Sequence, residues 1–424
     1  MTRKICLPLT ILLAIGLLYL PDGIIRQVWA VSAGSGHGAA SPLPLPASRP
    51  ATIPQPMAAT WIWQPIAPLS QSFSDSSEAT VAITHDGTTY VVWTEAAEED
   101  WPRLYYCTSN EAGWSEPCAF FIGQDPDLTV SPDGVVHLVY SSELFGNQEI
   151  YHTTWANGDW GIPENISNTE GSSTQPAITV ANGGQPLVVW TEGVKKNSRI
   201  YYAWQEDHRW STYLIPATGG GSAPDVALGE ANRVWVVWQA LENSHHDIYA
   251  LFGACVEGIT WAPYAMNISD TPANDSLAPA LAGAPGVGAF LTWQEREQET
   301  TRIYYADNLE YGAFWGEPIC LSPSGLASER PSIAARGPGS VHVAWDAGNQ
   351  LLLRYRLPDE SWSPQTVIAN DPTAIGEVAL ALSPDLTLHA VWSQQVTAPA
   401  RNLYHRSGKL DWPYHAWLAL ALSP

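Results

Sequence analysis

Positive charge is scarce in this chain. Lys plus Arg number 19 against 42 Asp plus Glu, so the formal net charge of the 424 residues is −23. This excludes nucleic acid and anionic membranes as general partners, because binding to phosphate rests on clustered Lys and Arg. Cysteine is rare, at 5, and no pair has metal-ligand spacing. Signatures of a phosphate-binding loop, a Ser/His/Asp nucleophile, a zinc site or an EF-hand are missing. Gly219-Gly220-Gly221 is not followed by the Lys-Ser/Thr that a phosphate loop needs. No sustained 3.6-residue period follows the N-terminal stretch, so a helical fold is excluded. Phe is only 7, and the aromatic weight lies in 21 Trp and 17 Tyr, alongside 33 Gly and 34 Pro. Many ring side chains interleaved with turn formers read as all-β. A hydrophobic content of 45% excludes a disordered chain.

The N-terminus reads as a targeting segment. Arg3 and Lys4 precede an apolar run from Ile5 to Leu20, and Val28-Trp29-Ala30 offers a small-residue cleavage site. Residues 1–30 are expected to be a signal peptide or an uncleaved anchor. Residues 31–58, with Pro42, Pro44, Pro46, Pro50, Pro54 and Pro56, read as a Pro/Ala/Ser linker. Export permits disulfides, and Cys107 with Cys118 is the expected pair because the two flank one hairpin.

Residues 59–424 repeat one motif seven times. An aromatic anchor ends an apolar strand at Trp93, Tyr140, Trp190, Trp238, Trp293, Trp345 and Trp392. A second Trp follows at Trp114, Trp160, Trp210, Trp261, Trp315, Trp362 and Trp412. Between them lies an aromatic step such as Ile200-Tyr201-Tyr202, and before each anchor a short strand such as Pro176 to Val180. Each repeat therefore reads as four strands, A to D, and the chain as an all-β, seven-bladed β-propeller of four-stranded antiparallel blades. Trp61 through Leu69-Ser70 is a surplus D strand that closes the last blade, in competition with Trp412 to Leu422.

The order Pro-x-Ile, apolar strand ending in Trp, Ile-Tyr-Tyr, then Trp-x-x-Pro-x-x-Ile-Ser resembles the sialidase superfamily of propellers over residues 61–424. The family's Asp-box belongs in the C–D turn, where the best match is Ser109-Asn110-Glu111-Ala112-Gly113-Trp114, one residue short and with Glu for Asp. The resemblance implies a ligand face built from D–A and B–C loops. In sialidases that face holds an arginine triad, a Tyr/Glu nucleophile pair and an Asp acid/base. Here the opening Arg-Ile-Pro is absent, the Asp-boxes are degenerate and the blades count to seven, which points to a divergent binding propeller.

Candidate site residues follow from position. The D–A junctions place Glu78, Asp127, Asp225, Arg330 and Glu377 near the axis. The four carboxylates are the catalytic candidates, since paired carboxyls suit acid/base hydrolysis. Arg330 is a ligand-binding candidate, as is Trp101, a loop aromatic able to stack on a sugar. Arg103, Arg199 and Arg302 share their repeats with Glu95, Glu192 and Glu295, and read as cross-strand ion pairs rather than a triad. His245-His246-Asp247 reads as a surface loop, and His137, His342 and His389 as packing residues. The sequons at Asn165 and Asn267 fall on the repeating D-strand end. No metal or cofactor is expected. The expected function is an exported, non-catalytic binding or scaffold module for a glycan or an extracellular protein, with membrane contact only through an uncleaved N-terminus. The alternative is a divergent sialidase-like glycosidase or polysaccharide-cleaving enzyme.

Overall fold

The computed structural model describes residues 59–411, apart from 73, 97–100, 111–112, 145, 243, 256–257, 272–273, 310–313, 358 and 398–399. The signal segment, the linker, the turn residues Glu111 and Ala112 and the alternative closing strand at Trp412 to Leu422 lie outside the described residues. Seven antiparallel sheets follow in order, led by innermost strands Asp75–Ile83, Gln124–Val130, Ser173–Val180, Gly221–Leu228, Asp275–Ala284, Glu329–Ala334 and Ile375–Leu382. Each inner strand touches the next, and the seventh touches the first. The fold is a seven-bladed β-propeller.

The second strand of each blade is covered on both faces by neighbouring blades, which is why it reads as a continuous apolar run. Thr89–Ala96 and Val136–Ser142 are buried almost throughout. The anchors Trp93, Trp190, Trp293, Trp345 and Trp392 are fully buried. The Tyr of the aromatic step stacks on the anchor within its own blade, as in Trp93–Tyr105 and Trp293–Tyr304, with centroids 5.9 and 5.8 Å apart. The second Trp works between blades. Trp160 meets Tyr106 edge-on, Trp210 meets His152, Trp261 meets Tyr202, Trp315 meets Trp235, Trp362 meets Tyr305 and Trp114 meets His405. Edge-to-face pairs of this kind are worth about 0.5–1.5 kcal/mol beyond area burial.

The N-terminal strand closes the ring. Thr60–Trp63 and Ala67–Pro68 pair with Ala400–Asp411, the third strand of blade 7. Trp61 takes the second-Trp place, edge-on to His342 and Tyr355 of blade 6. The recurring Ile-Ser also acquires a reason. The Ser167 hydroxyl accepts the Ile150 N–H at 2.8 Å, Ser269 that of Ile248 at 2.9 Å and Ser322 that of Ile303 at 3.0 Å. Ser70 accepts the Leu403 N–H at 2.8 Å in the same way, although 333 residues separate them.

Two expectations are corrected. Cys107 and Cys118 are both free thiols. Cys118 lies opposite Tyr106 in the ladder, and adjacent residues on a strand face opposite sides, so Cys107 turns into the core, where burial pushes its thiol up to about 12. The Glu–Arg ion pairs do not form either. Their register is as expected, with Glu95 opposite Arg103, Glu192 opposite Arg199 and Glu295 opposite Arg302. Each Glu instead accepts the indole N–H of its own anchor Trp, at 3.2, 3.0 and 3.5 Å. A buried indole N–H without an acceptor costs more than an exposed ion pair gains. Arg302 pairs with Glu297 at 3.6 Å.

Candidate functional site

Every innermost strand carries a β-bulge, at the same register in blades 1 to 6 and displaced by one residue in blade 7, where it takes in Gly376 and Glu377. The first bulged residue is Glu78, Asp125, Gln175, Ala223, Ala278 or Arg330 in blades 1 to 6, all with φ between +48° and +54°. Matching the ladder to the anchor Trp392 places Glu377 at the same position in blade 7. Left-handed backbone costs a non-glycine residue about 1–2 kcal/mol. What offsets it is a chain of hydrogen bonds around the axis. The bulge frees a backbone N–H, and a side chain of the preceding blade accepts it.

Glu377 accepts the Glu78 N–H at 3.0 Å, Glu78 that of Asp125 at 2.9 Å, Asp125 that of Gln175 at 3.3 Å and Gln175 that of Ala223 at 3.1 Å. Blades 4 and 5 have only Ala at the bulge. There Gln239 and Gln294, one residue after the anchor, reach across to the Ala278 and Arg330 N–H groups at 2.9 and 2.8 Å. Where the bulge side chain is long, the residue after the anchor is short and braces it. Thr94, Ser141 and Thr191 donate to Glu78, Asp125 and Gln175. Blade 6 inverts the charges, with Arg330 forked onto Asp346 at 3.0 and 2.8 Å.

One step deeper, Asp127 accepts the N–H groups of Leu128 and Ile178 at 2.9 and 2.8 Å. Asp225 accepts those of Val226 and Leu281, both at 2.7 Å. Each carboxyl thus pins its own strand and the next blade. Burial pushes Asp127 up to about 6; burial and the Asp127 charge push Asp225 up to about 7. Glu78 is raised as well, by burial first and then by Asp125 and Glu377.

The structure therefore places all five axial candidates on innermost strands and gives each a bonded role. Asp125, Gln175, Gln239, Gln294 and Asp346 belong to the same network and escape motif-based reading. Their signal is the inverse relation between the bulged residue of the inner strand, which precedes a Pro in blades 2 to 6, and the residue after the anchor.

The other candidates separate. His245 and His246 face different partners, Asp247 at 3.6 Å and Asp275 at 2.9 Å. His137 packs against His152 with ring nitrogens 3.0 Å apart, and His389 against His405 at 3.1 Å. Burial holds all four, with His342, far below the ordinary imidazole value. No cluster of three or more His, Cys, Asp or Glu among the described residues is arranged to hold a metal.

Trp101 is 49% exposed on the B–C loop of blade 1. It has company. The B–C hairpins of blades 2, 3, 4 and 7 expose Leu144, Val194, Leu241 and Val396, and the D–A loop before blade 6 exposes Leu326. The A–B turns of the opposite face expose no large hydrophobic side chain among the described residues. They are polar turns in which Thr84, Ser131 and Ser383 donate to Asp86, Asp133 and Asp385.

No protein-family model matches the sequence, and no curated protein matches it. Solved structures do resemble it. One is a protein of unknown function from Dyadobacter fermentans, with TM-score 0.55 and 12% identity over 83% of this chain and 99% of that one. Another is an ulvan lyase of polysaccharide lyase family PL25, with TM-score 0.56 and 12% identity over 83% and 98%. A third is a fungal alcohol oxidase of the AA5 family, with TM-score 0.53 and 12% identity over 86% and 78%. What they share with this chain is the propeller fold.

Proposed function

We propose that this propeller is an exported, non-catalytic binding module that engages a glycan through its B–C and D–A loops, an extracellular protein being the second ligand class. The observation that carries the reading is the asymmetry of the two faces. Five hairpin tips and one D–A loop present apolar side chains to solvent on one face, whereas the other combines polar A–B turns with one exposed ring, Phe314, in the C–D connection of blade 5. Exposed apolar groups gathered on one face of a soluble protein mark an interaction surface. The axial carboxylates argue against catalysis, because their oxygens are spent on backbone N–H groups that hold the blades together. In this reading the chain is a divergent relative of the sialidase-like propellers, residues 1–30 direct export and residues 31–58 space the propeller from a surface.

A catalytic reading has one observation in its favour. Asp127 and Asp225 line one channel and titrate near neutrality, as an acid/base pair does. A polysaccharide lyase among the structurally similar proteins is compatible with it. An array of neutral and acidic polysaccharides, probed with the full chain and followed by mass spectrometry of released sugars, separates the two. Binding without release supports the module. Release of a defined product that disappears in Asp225→Asn overturns it.

A further inference from the structure

We propose that the Val194–Arg199 tip of blade 3 docks the carboxylates of an acidic polysaccharide. This rests on the binding reading above and names its ligand class. The chain has four lysines, Lys4, Lys195, Lys196 and Lys409. Lys409 pairs with Asp385 at 3.2 Å. The adjacent Lys195 and Lys196 stand exposed at the tip of a B–C hairpin on the loop-rich face, with no acidic partner among the described residues. Arg199 is exposed beside them. Its ladder partner Glu192 is turned inward, accepting from the Trp190 indole and from Thr169 and Ser173. Three cations within five residues are thus unpaired in a protein of net charge −23.

The tip is fixed rather than loose. Gly193 N–H donates to the Ser172 carbonyl at 2.8 Å and Gly220 N–H to that of Ser198 at 3.0 Å, tying the hairpin to the D–A loops on both sides. The Ser198 N–H and hydroxyl both donate to the Lys195 carbonyl, at 3.0 and 2.5 Å. Lys195 is held at φ +55°. Strain kept by surrounding bonds is common where a site is preorganised.

The surroundings fit a sugar chain. Val194 is 64% exposed and Leu241, on the next hairpin, 43% exposed. Both offer apolar contact to C–H faces. Gly219 leaves a bare backbone floor, where an added Cβ would lie 3.7 Å from the Arg199 guanidinium. Exposed Glu170 and Glu242 stand on the neighbouring loops, and ionic screening over about 8–10 Å confines the field of the more distant acidic residues at physiological salt. Lysine ammoniums on flexible stems match carboxylates spaced along a polymer better than one fixed anion.

The test is biolayer interferometry with the full chain on immobilised polygalacturonate, on its fully methyl-esterified form and on polyglutamate. Polygalacturonate should be bound, the ester far more weakly, and binding should fall as NaCl rises from about 50 to 300 mM. K195Q/K196Q should weaken binding about tenfold, while K409Q leaves it unchanged. Binding of the ester equal to that of the acid, or a double variant that binds as wild type, overturns the inference and leaves the binding module standing. Polyglutamate bound as tightly as polygalacturonate removes the polysaccharide assignment. No binding to any glycan on the array, by protein shown to be folded, defeats the glycan reading of the module and with it this inference.

Discussion

Replacing Asp225 with Asn tests whether the channel carboxyls are held protonated by the fold. In the folded protein Asp225 is pushed up from 3.8 to about 7, by burial and by the Asp127 charge. The unfolded chain releases this proton near 3.8 and the folded protein holds it to about 7. The unfolded state therefore binds fewer protons across that window, and stability falls as pH rises through it, levelling above 7. One pH unit is worth about 1.4 kcal/mol, so the group costs the wild type up to about 2–3 kcal/mol between pH 5 and pH 8. Asn cannot ionise and escapes that loss. It also gives up one carboxyl acceptor for the Val226 and Leu281 N–H groups, a penalty of about 1–3 kcal/mol at every pH. Urea unfolding of both proteins at pH 5, 6, 7 and 8 gives the stability difference directly. The variant should gain about 2–3 kcal/mol relative to wild type across the series. The difference also cancels the histidines, whose sign is opposite. A difference that stays constant with pH refutes the reasoning.

The buried histidines make a separate prediction. His137, His342 and His389 are depressed to about 4, and His152 and His405 to about 3. Their contribution is present above the unfolded value of about 6.5 and is lost as pH falls toward 4, so circular dichroism should show cooperative acid unfolding, shifted to lower pH in His152→Phe. Gln239→Thr should cost about 1–3 kcal/mol by leaving the Ala278 N–H unmade. Adding Ala223→Gln, which copies the Gln175 and Thr191 arrangement of blade 3, should recover most of it in a double-mutant cycle; no recovery would disprove the exchange of roles. Glu192→Ala should destabilise by about 1–3 kcal/mol through the Trp190 indole, while Arg199→Ala stays within about 0.5 kcal/mol by thermal melts. Equal effects would restore the ion pair. Deleting residues 59–71 removes the closing strand, and thermal melting should then show loss of cooperative unfolding rather than a small shift in Tm.

The repeat arithmetic carried most of the fold. Seven anchors and seven second Trp residues were enough to count the blades, because each blade must present the same large aromatics to its neighbours; they left two segments competing to close the ring, and the pairing of Thr60–Trp63 with Ala400–Asp411 came from the structure. The Glu–Arg register was legible too, but the choice of partner was not. Glu192 sits opposite Arg199 and still turns inward to accept the Trp190 indole N–H at 3.0 Å, a choice between two neighbours that the register alone does not make. Cys107 and Cys118 failed in the same way. Proximity in sequence is visible, whereas the side of the sheet on which each thiol lies depends on the register of a short outer strand.

Composition and periodicity by themselves determined an all-β, acidic, repetitive chain and the residues at the heart of each blade, because strand patterning and aromatic spacing are local properties. Only the tertiary structure decided what the axial residues do. Glu78 accepts from blade 2 and Glu377 from blade 1, across separations of 47 and 299 residues. Those bonds exist because closing seven sheets into a ring turns the bulged N–H of blades 1 to 6 toward the blade before it. The same closure gathers hairpin tips about 50 residues apart in the chain into one face, where Lys195, Lys196 and Arg199 have no salt-bridge partner among the described residues.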